Sequence, residues 1–250
     1  MAGHSKFKNI MFRKGAQDKK RAKIFAKLGR EIQIASKSGG SDPESNHRLR
    51  TAIDAAKAAN VPKDNIERAI KKGSDSETNN LEEIKYEGFG PGGTSLIIET
   101  MTDNKNRTVS EIRQIFSKNG GSIAENGSVS HSFQRKGELI YKKDKNSENK
   151  FFDLAIDAGA DDIFNEDPNY IIYCNPNKII SIKKKIAKLS IEPISISLTW
   201  ISPSKISINK EDGKKLFNLI NQLEDNEDVQ NISSNYNISK KVFDTIEFDN

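Results

Sequence analysis

The sequence predicts an α+β protein of several domains, and three observations carry that expectation. Its 250 residues suit two or three compact domains. The apolar period is helical to about residue 72 and alternates between strand and helix afterwards. The charge changes sign at the same place: residues 1–72 hold 18 Lys/Arg against 7 Asp/Glu, and residues 73–250 hold 22 against 28.

Residues 1–17 show no period and read as a basic N-terminal arm. From Asp18 to Ser38 the pattern is helical. Ile24, Phe25, Leu28, Ile32 and Ala35 share one stripe, while Lys19, Lys23, Lys27, Arg30 and Lys37 share another. Ile34 and Arg21 break the separation, and Gly39-Gly40 is the stop. Asp42-Pro43 reads as the next helix start, with Leu49, Ile53, Ala56 and Ala59 inward. A third helix is expected over 62–72, ending at Gly73. Three helices with short connections make a helical domain over 18–73. The polar stretch Ser74–Asn80 is a boundary.

Strands follow at 82–89 and 94–101, then a helix at 106–118 stopped by Gly120-Gly121, then a strand at 128–134. Residues 138–200 alternate as strand 138–142, helix 148–158, strand 161–165, strand 169–174, helix 177–189 and strand 193–200. That β-α-β-β-α-β order is ferredoxin-like. A strand at 205–208, a helix at 210–224 and a strand at 228–232 are expected to rejoin the sheet begun at 82–134. The expected organisation is therefore a middle α/β domain of 81–135 plus 204–250, with a ferredoxin-like domain of 136–203 inserted in it.

The hydrophobic fraction is 34%, about 40% with glycine, which is below the common ~45–50% but compatible with a segmented core. The single cysteine, Cys174, allows no intrachain disulfide and no cysteine-based metal site. It lies at the end of an apolar strand and reads as a core residue. No apolar run approaches the length of a membrane span, and Ile10-Met11-Phe12 is too short for a signal-peptide core. A cytoplasmic location is expected.

Between Lys6 and Arg30 stand ten bases and one acid, Asp18, which is the electrostatic footprint of a polyanion binder. Lys6, Lys8, Arg13, Lys14, Lys19, Lys20, Arg21, Lys23, Lys27 and Arg30 are the candidate phosphate contacts, and His4 and Phe7 could stack on unpaired bases. Gly88-Phe89-Gly90-Pro91-Gly92-Gly93 matches a dinucleotide fingerprint by letter. That site needs a strand-to-helix turn, whereas Thr94–Thr100 reads as a strand, and Pro91 removes an amide donor. The segment is therefore a hairpin loop and a candidate partner-contact loop. His47 reads as a surface residue and His131 as part of a strand. Asp161-Asp162 and the acids of 224–228 lack regular metal-ligand spacing. No catalytic set forms, so no enzyme activity, cofactor, metal or small-molecule substrate is expected.

Several strings resemble the YebC/PmpR family: Met1–Lys6, Arg13–Arg21, Tyr86–Gly93, Asp103–Thr108 and Phe116–Gly121. The resemblance spans essentially the whole chain. It implies an N-terminal helical domain and two α/β domains, the third inserted in the second. It also implies a regulator of gene expression: the family is generally described as probable transcriptional regulators that bind DNA. Some members resemble ribosome-acting translation factors, and a mitochondrial relative is a translational activator. Phe7 stands where Trp is usual, and Gly15 where Ala is common. The expected partner is nucleic acid, promoter DNA or ribosomal RNA, with the ribosome itself a further candidate. An enzyme using the 88–93 loop and a protein-interaction scaffold are the competing classes.

Overall fold

The computed structural model describes residues 17–75, 80–144 and 148–246. Three helices open it: α1 (Gln17–Gly39), α2 (His47–Ala58) and α3 (Lys63–Ser74). There follow β1 (Glu82–Phe89), β2 (Ser95–Thr102), α4 (Lys105–Lys118), β3 (Ser122–Ala124) and β4 (Gln134–Lys142). Then come α5 (Glu148–Asp157), β5 (Ala160–Glu166), β6 (Asn169–Cys174), α6 (Ile179–Ile186) and β7 (Ser195–Ile201). The chain continues through β8 (Ile206–Ser207), α7 (Lys210–Asp225), β9 (Val229–Ser234) and β10 (Tyr236–Asn237). Among the described residues, no helix is long and apolar enough to cross a membrane. The chain divides into two compact units. One joins 17–75 to 135–199 (the helix-bearing unit), and the other joins 81–134 to 200–246 (the β2-centred unit).

In the helix-bearing unit, Ile32 and Ala35 of α1 pack on Leu49, Ile53 and Ala56 of α2 and on Ile66 and Ala69 of α3. The helical boundaries differ from expectation at two points. Asp42-Pro43 does not start α2. The Asp42 carboxylate caps a turn by accepting the Glu44 N–H at 3.0 Å. The cap of α2 is Asn46, whose Oδ1 accepts the Leu49 N–H at 3.0 Å. The Asn46 amide also donates to Ala35 O and Gly40 O, each at 2.8 Å, tying the cap to the end of α1. Gly73 is not a stop either. It lies inside α3, where a Cβ would stand 2.4 Å from Gln33 O, so it is what lets α3 approach α1.

The sheet of this unit has the order β5-β6-β4-β7, with β6 antiparallel to both neighbours. Leu139, Tyr141, Ile172 and Cys174 face Phe151 and Ala155 of α5 and Ile182 and Ile186 of α6. The same core takes in Ala55 of α2 and has Leu28 of α1 packed against it. The bundle and the sheet thus share one compact unit. The expected helix 177–189 is shorter: a 3-10 turn at 176–178, α6 itself, and a 3-10 turn at 187–189 that ends at Ser190 with φ 58°. Cys174 is fully buried, and burial pushes its thiol up to about 12, with Asp161 adding to the shift. A protonated core thiol is no nucleophile.

The sheet of the β2-centred unit has the order β3-β1-β2-β9. β2 is central, antiparallel to β1 and to β9, and is nearly continuously buried because both its faces are covered. Leu96 and Ile98 meet Ile112 and Phe116 of α4 and Leu216, Phe217, Ile220 and Leu223 of α7. Ile97 meets Val129, Phe133 and Trp200 on the other face. The expected strand at 128–134 is absent. A 3-10 turn occupies 130–132, and β4 starts at Gln134 instead. That turn serves Glu87, a carboxylate buried at the sheet surface. Its Oε2 accepts the Val129 N–H at 2.7 Å and the Ser130 N–H at 2.9 Å, and Lys85 Nζ lies 2.9 Å from Oε1. β8 does not rejoin the sheet but pairs in parallel with β10.

Asp228, the residue before β9, fastens that strand. Its Oδ2 accepts from Thr108 Oγ1 at 2.7 Å, an Arg107 Nη at 2.8 Å and Thr102 Oγ1 at 3.1 Å. Its carbonyl accepts the Met101 N–H at 2.9 Å. Burial pushes the carboxyl up, but the Arg107 guanidinium and the two hydroxyls outweigh it and hold the group below the usual carboxylate range.

Asp228→Asn is expected to cost about 1–3 kcal/mol, since it removes a charged acceptor from buried donors. Asp103→Asn touches the exposed side of the same Arg107, at 3.1 Å. It is expected to change stability by less than about 0.5 kcal/mol. Urea unfolding of the two variants checks both. The Glu87 carboxyl is pushed up by burial, but Lys85 and the Ser130 and Val129 amides bring it down from 4.5 to about 2. A depressed folded value stabilises the protein above the unfolded value, and that contribution fades as pH falls from about 4.5 to about 2. Glu87→Gln is therefore expected to lower the urea midpoint at neutral pH, and its deficit to shrink across that window.

Candidate nucleic-acid interface

The candidate contacts His4, Lys6, Phe7, Lys8, Arg13 and Lys14 lie outside the described residues, as does nearly all of the expected arm. Lys19 and Lys20 fall in the first turns of α1. Arg21 is exposed and sets its guanidinium 5.3 Å from the centroid of the Phe25 ring, a cation–π contact along the helix surface. Lys23, Lys27 and Arg30 are half-buried, and each already interacts with a neighbouring group. Helical geometry sets Lys23, Lys27 and Arg30 away from the Leu28, Ile32 and Ala35 face. Ile34, which breaks that separation in the sequence, is buried.

The sequence-order charge split becomes a split between folded units. Residues 17–75 and 135–199 together carry 25 Lys/Arg and 18 Asp/Glu, a net +7. Residues 81–134 and 200–250 carry 11 and 16, a net −5. The ferredoxin-like stretch is not itself acidic, since 135–199 holds 11 bases and 10 acids. Sequence order hid this, because its lysines follow an acidic stretch and precede another.

Within the helix-bearing unit, α6 is a basic element that reading from the N-terminus missed. Lys183 Nζ stands 3.2 Å from Asp54 Oδ1 of α2, and Lys185 Nζ donates to Asp157 O at the end of α5, at 2.9 Å. Lys184 and Lys188 are exposed, as is Lys57, one turn beyond Asp54 on α2. The signal for α6 was the run Lys183-Lys184-Lys185 with Lys188, which reads locally as the solvated face of an amphipathic helix.

The Gly88–Gly93 segment joins β1 to β2 as a hairpin whose tip is a 3-10 turn over Pro91–Gly93. Its polar groups turn inward: the Gly90 N–H donates to Thr94 O at 2.7 Å, and Thr94 Oγ1 donates to Pro91 O at 3.0 Å. Gly92 and Gly93 adopt φ of 70° and 71°, where a side chain would be strained. A Cβ on Gly92 would also stand 3.0 Å from Ile208 and 3.3 Å from Asp212. Gly88 approaches the Phe116 ring, where a Cβ would lie at 2.6 Å. These glycines fit the loop to its own unit. The exposed remainder is Phe89, 42% accessible, with Gly92 and Gly93.

The Asp103–Thr108 string is also structural. Asn104 caps α4 by accepting the Arg107 N–H at 3.1 Å, and Arg107 and Thr108 hold Asp228. His47 is exposed at the start of α2. His131 is in the 3-10 turn, not in a strand, and sets Nδ1 3.1 Å from Gly127 O. Asp161 pairs with Lys136 at 2.7 Å.

Two family models match the chain: the TACO1/YebC N-terminal domain over residues 5–76, and the TACO1/YebC second and third domain over 81–236. A probable transcriptional regulatory protein of Zymomonas mobilis is 46% identical over 246 residues, covering 98% of this chain and 99% of that protein. The crystal structure of a conserved hypothetical protein from Aquifex aeolicus is similar in fold, with a TM-score of 0.82 and 42% identity. That match covers 88% of this chain and 91% of the other. With its N-terminal helices, its sheet-bearing remainder and these near full-length matches, the chain belongs to the YebC/TACO1 family.

Proposed function

We propose that this protein is a non-enzymatic cytoplasmic regulator of gene expression that binds nucleic acid through its basic N-terminal region. The observation that carries this is the charge division, a net +7 on the helix-bearing unit against −5 on the β2-centred unit, with four more bases and no acid in residues 1–16. Such a distribution gives the helix-bearing unit an attraction for phosphates and the β2-centred unit a repulsion. Lys6, Lys8, Arg13, Lys14, Lys19, Lys20, Arg21, Lys23, Lys27 and Arg30 supply the charge, and His4 and Phe7 supply rings for stacking. In this reading, 136–203 is a domain inserted in the middle one, and the acidic unit acts as a spacer or protein contact.

DNA is the partner suggested by the relative named a probable transcriptional regulatory protein. Ribosomal RNA is the second reading, and the exposed Phe89 beside two glycines favours it as a surface for an unstacked base. Nuclease-protected crosslinking in growing cells, with DNA and RNA sequenced side by side, separates the two. Promoter fragments support a transcriptional regulator, and ribosomal RNA from one functional centre supports a translation factor.

Lys19→Glu, Lys20→Glu and Lys23→Glu together are expected to weaken binding and to lower the slope of log K against log salt by at least about 2, at roughly 0.7–0.9 for each phosphate contact. A fluorescence titration at several KCl concentrations reads this. Unchanged affinity and slope would remove α1 from the interface.

A further inference from the structure

We propose a second phosphate-binding patch formed by Lys57, Lys184 and Lys188, which grips the backbone of the same nucleic acid. This rests on the nucleic-acid reading above and extends it to a segment that reading leaves out. Lys57 belongs to α2 and Lys184 to α6, with Lys188 in the 3-10 turn that continues α6. The ion pair Lys183–Asp54, at 3.2 Å, holds these distant segments together. Its side chains are only 24% and 23% accessible. The shared core beneath them contains Ala55, Ile182 and Ile186.

The geometry separates the tethering lysines from the projecting ones. Ile179, Ile182 and Ile186 make the buried face of α6. Lys183 leans to α2 and Lys185 to the carbonyl of Asp157. Lys184 lies opposite the buried face, and Lys188 is one further turn along. Lys57 stands three residues beyond Asp54 and so on the same side of α2. All three are exposed, and among the described residues none makes an ion pair. Asp54, one turn before Lys57 on α2, is already committed to Lys183.

Cations near helix ends also complement the backbone dipole, and that role would explain these lysines without any ligand. The two accounts differ in their salt dependence on nucleic acid. Phosphate contacts release counterions, so each one lost lowers the salt slope by about 0.7 on single strands and about 0.9 on duplex. Dipole complementation leaves the slope alone.

The test uses the full chain, a short single-stranded RNA and a duplex DNA of mixed sequence, titrated over a KCl series. The Lys57→Gln, Lys184→Gln, Lys188→Gln triple variant is expected to lose about 2 from the slope. At about 0.1 M salt its affinity should fall by roughly one to two orders of magnitude. Each single variant should show about a third of the slope change. The triple Lys→Arg variant should bind as the parent does, and Lys118→Gln with Lys210→Gln, in the acidic unit, should change nothing. If the parent binds and the Gln variants match it in slope, this patch is overturned while the proposed function stands. If the parent binds neither nucleic acid, both fall. Binding to poly-glutamate but not to nucleic acid would make the patch an acidic-protein contact and overturn it as stated.

Discussion

The pairing of β2 with β9 is the constraint on which the β2-centred unit depends. β2 is apolar on both faces, so it needs α4 and α7 over Leu96 and Ile98, and Val129, Phe133 and Trp200 over Ile97. Trp200, α7 and β9 all come from beyond residue 199. This unit comprises 81–134 and 200–246, and β9 pairs in register with Leu96 through Thr100. Asp228 secures that pairing. A carboxylate 4% accessible is tolerable only with its donors in place, and Thr102, Arg107 and Thr108 supply them from the 81–134 stretch.

The same requirement accounts for residues that otherwise look like chemistry. The glycine-rich segment turns β1 into β2 against α7, and at Gly92 a φ of 70° strains any side chain, whose Cβ would also crowd Ile208 at 3.0 Å. Arg107, a ready candidate for a phosphate, spends its guanidinium on Asp228 and Asp103. Glu87 spends its carboxylate on two backbone amides of the 129–130 turn, which fixes the cover of the opposite sheet face. What these motifs leave to a partner is small: the ring of Phe89 and the hairpin tip.

The helix-bearing unit is organised differently. Its bundle and its sheet share a core through Leu28 and Ala55, and the Lys183–Asp54 pair closes the seam. Cations from residues 57 and 184–188 thereby lie in the same folded unit as those of α1. Electrostatic attraction depends on where charges stand in space and falls off over about 8 Å in physiological salt. The grouping by unit, not the count along the chain, is therefore the quantity a polyanion meets.

The sequence by itself determined the helices, most strands and the family. Those signals are local: the stripe of Ile24, Leu28, Ile32 and Ala35, the β-branched run of β2, and the contiguous strings at 86–93 and 103–108. It misplaced the start of α2, the role of Gly73 and the 128–134 segment. Each is settled by a partner distant in sequence: Ala35 for the Asn46 cap, Gln33 for Gly73, Glu87 for the amides of 129 and 130. Only the tertiary structure decided which charges stand together. Asp54 and Lys183 share no local pattern, and their 3.2 Å pairing forms only when the chain folds back.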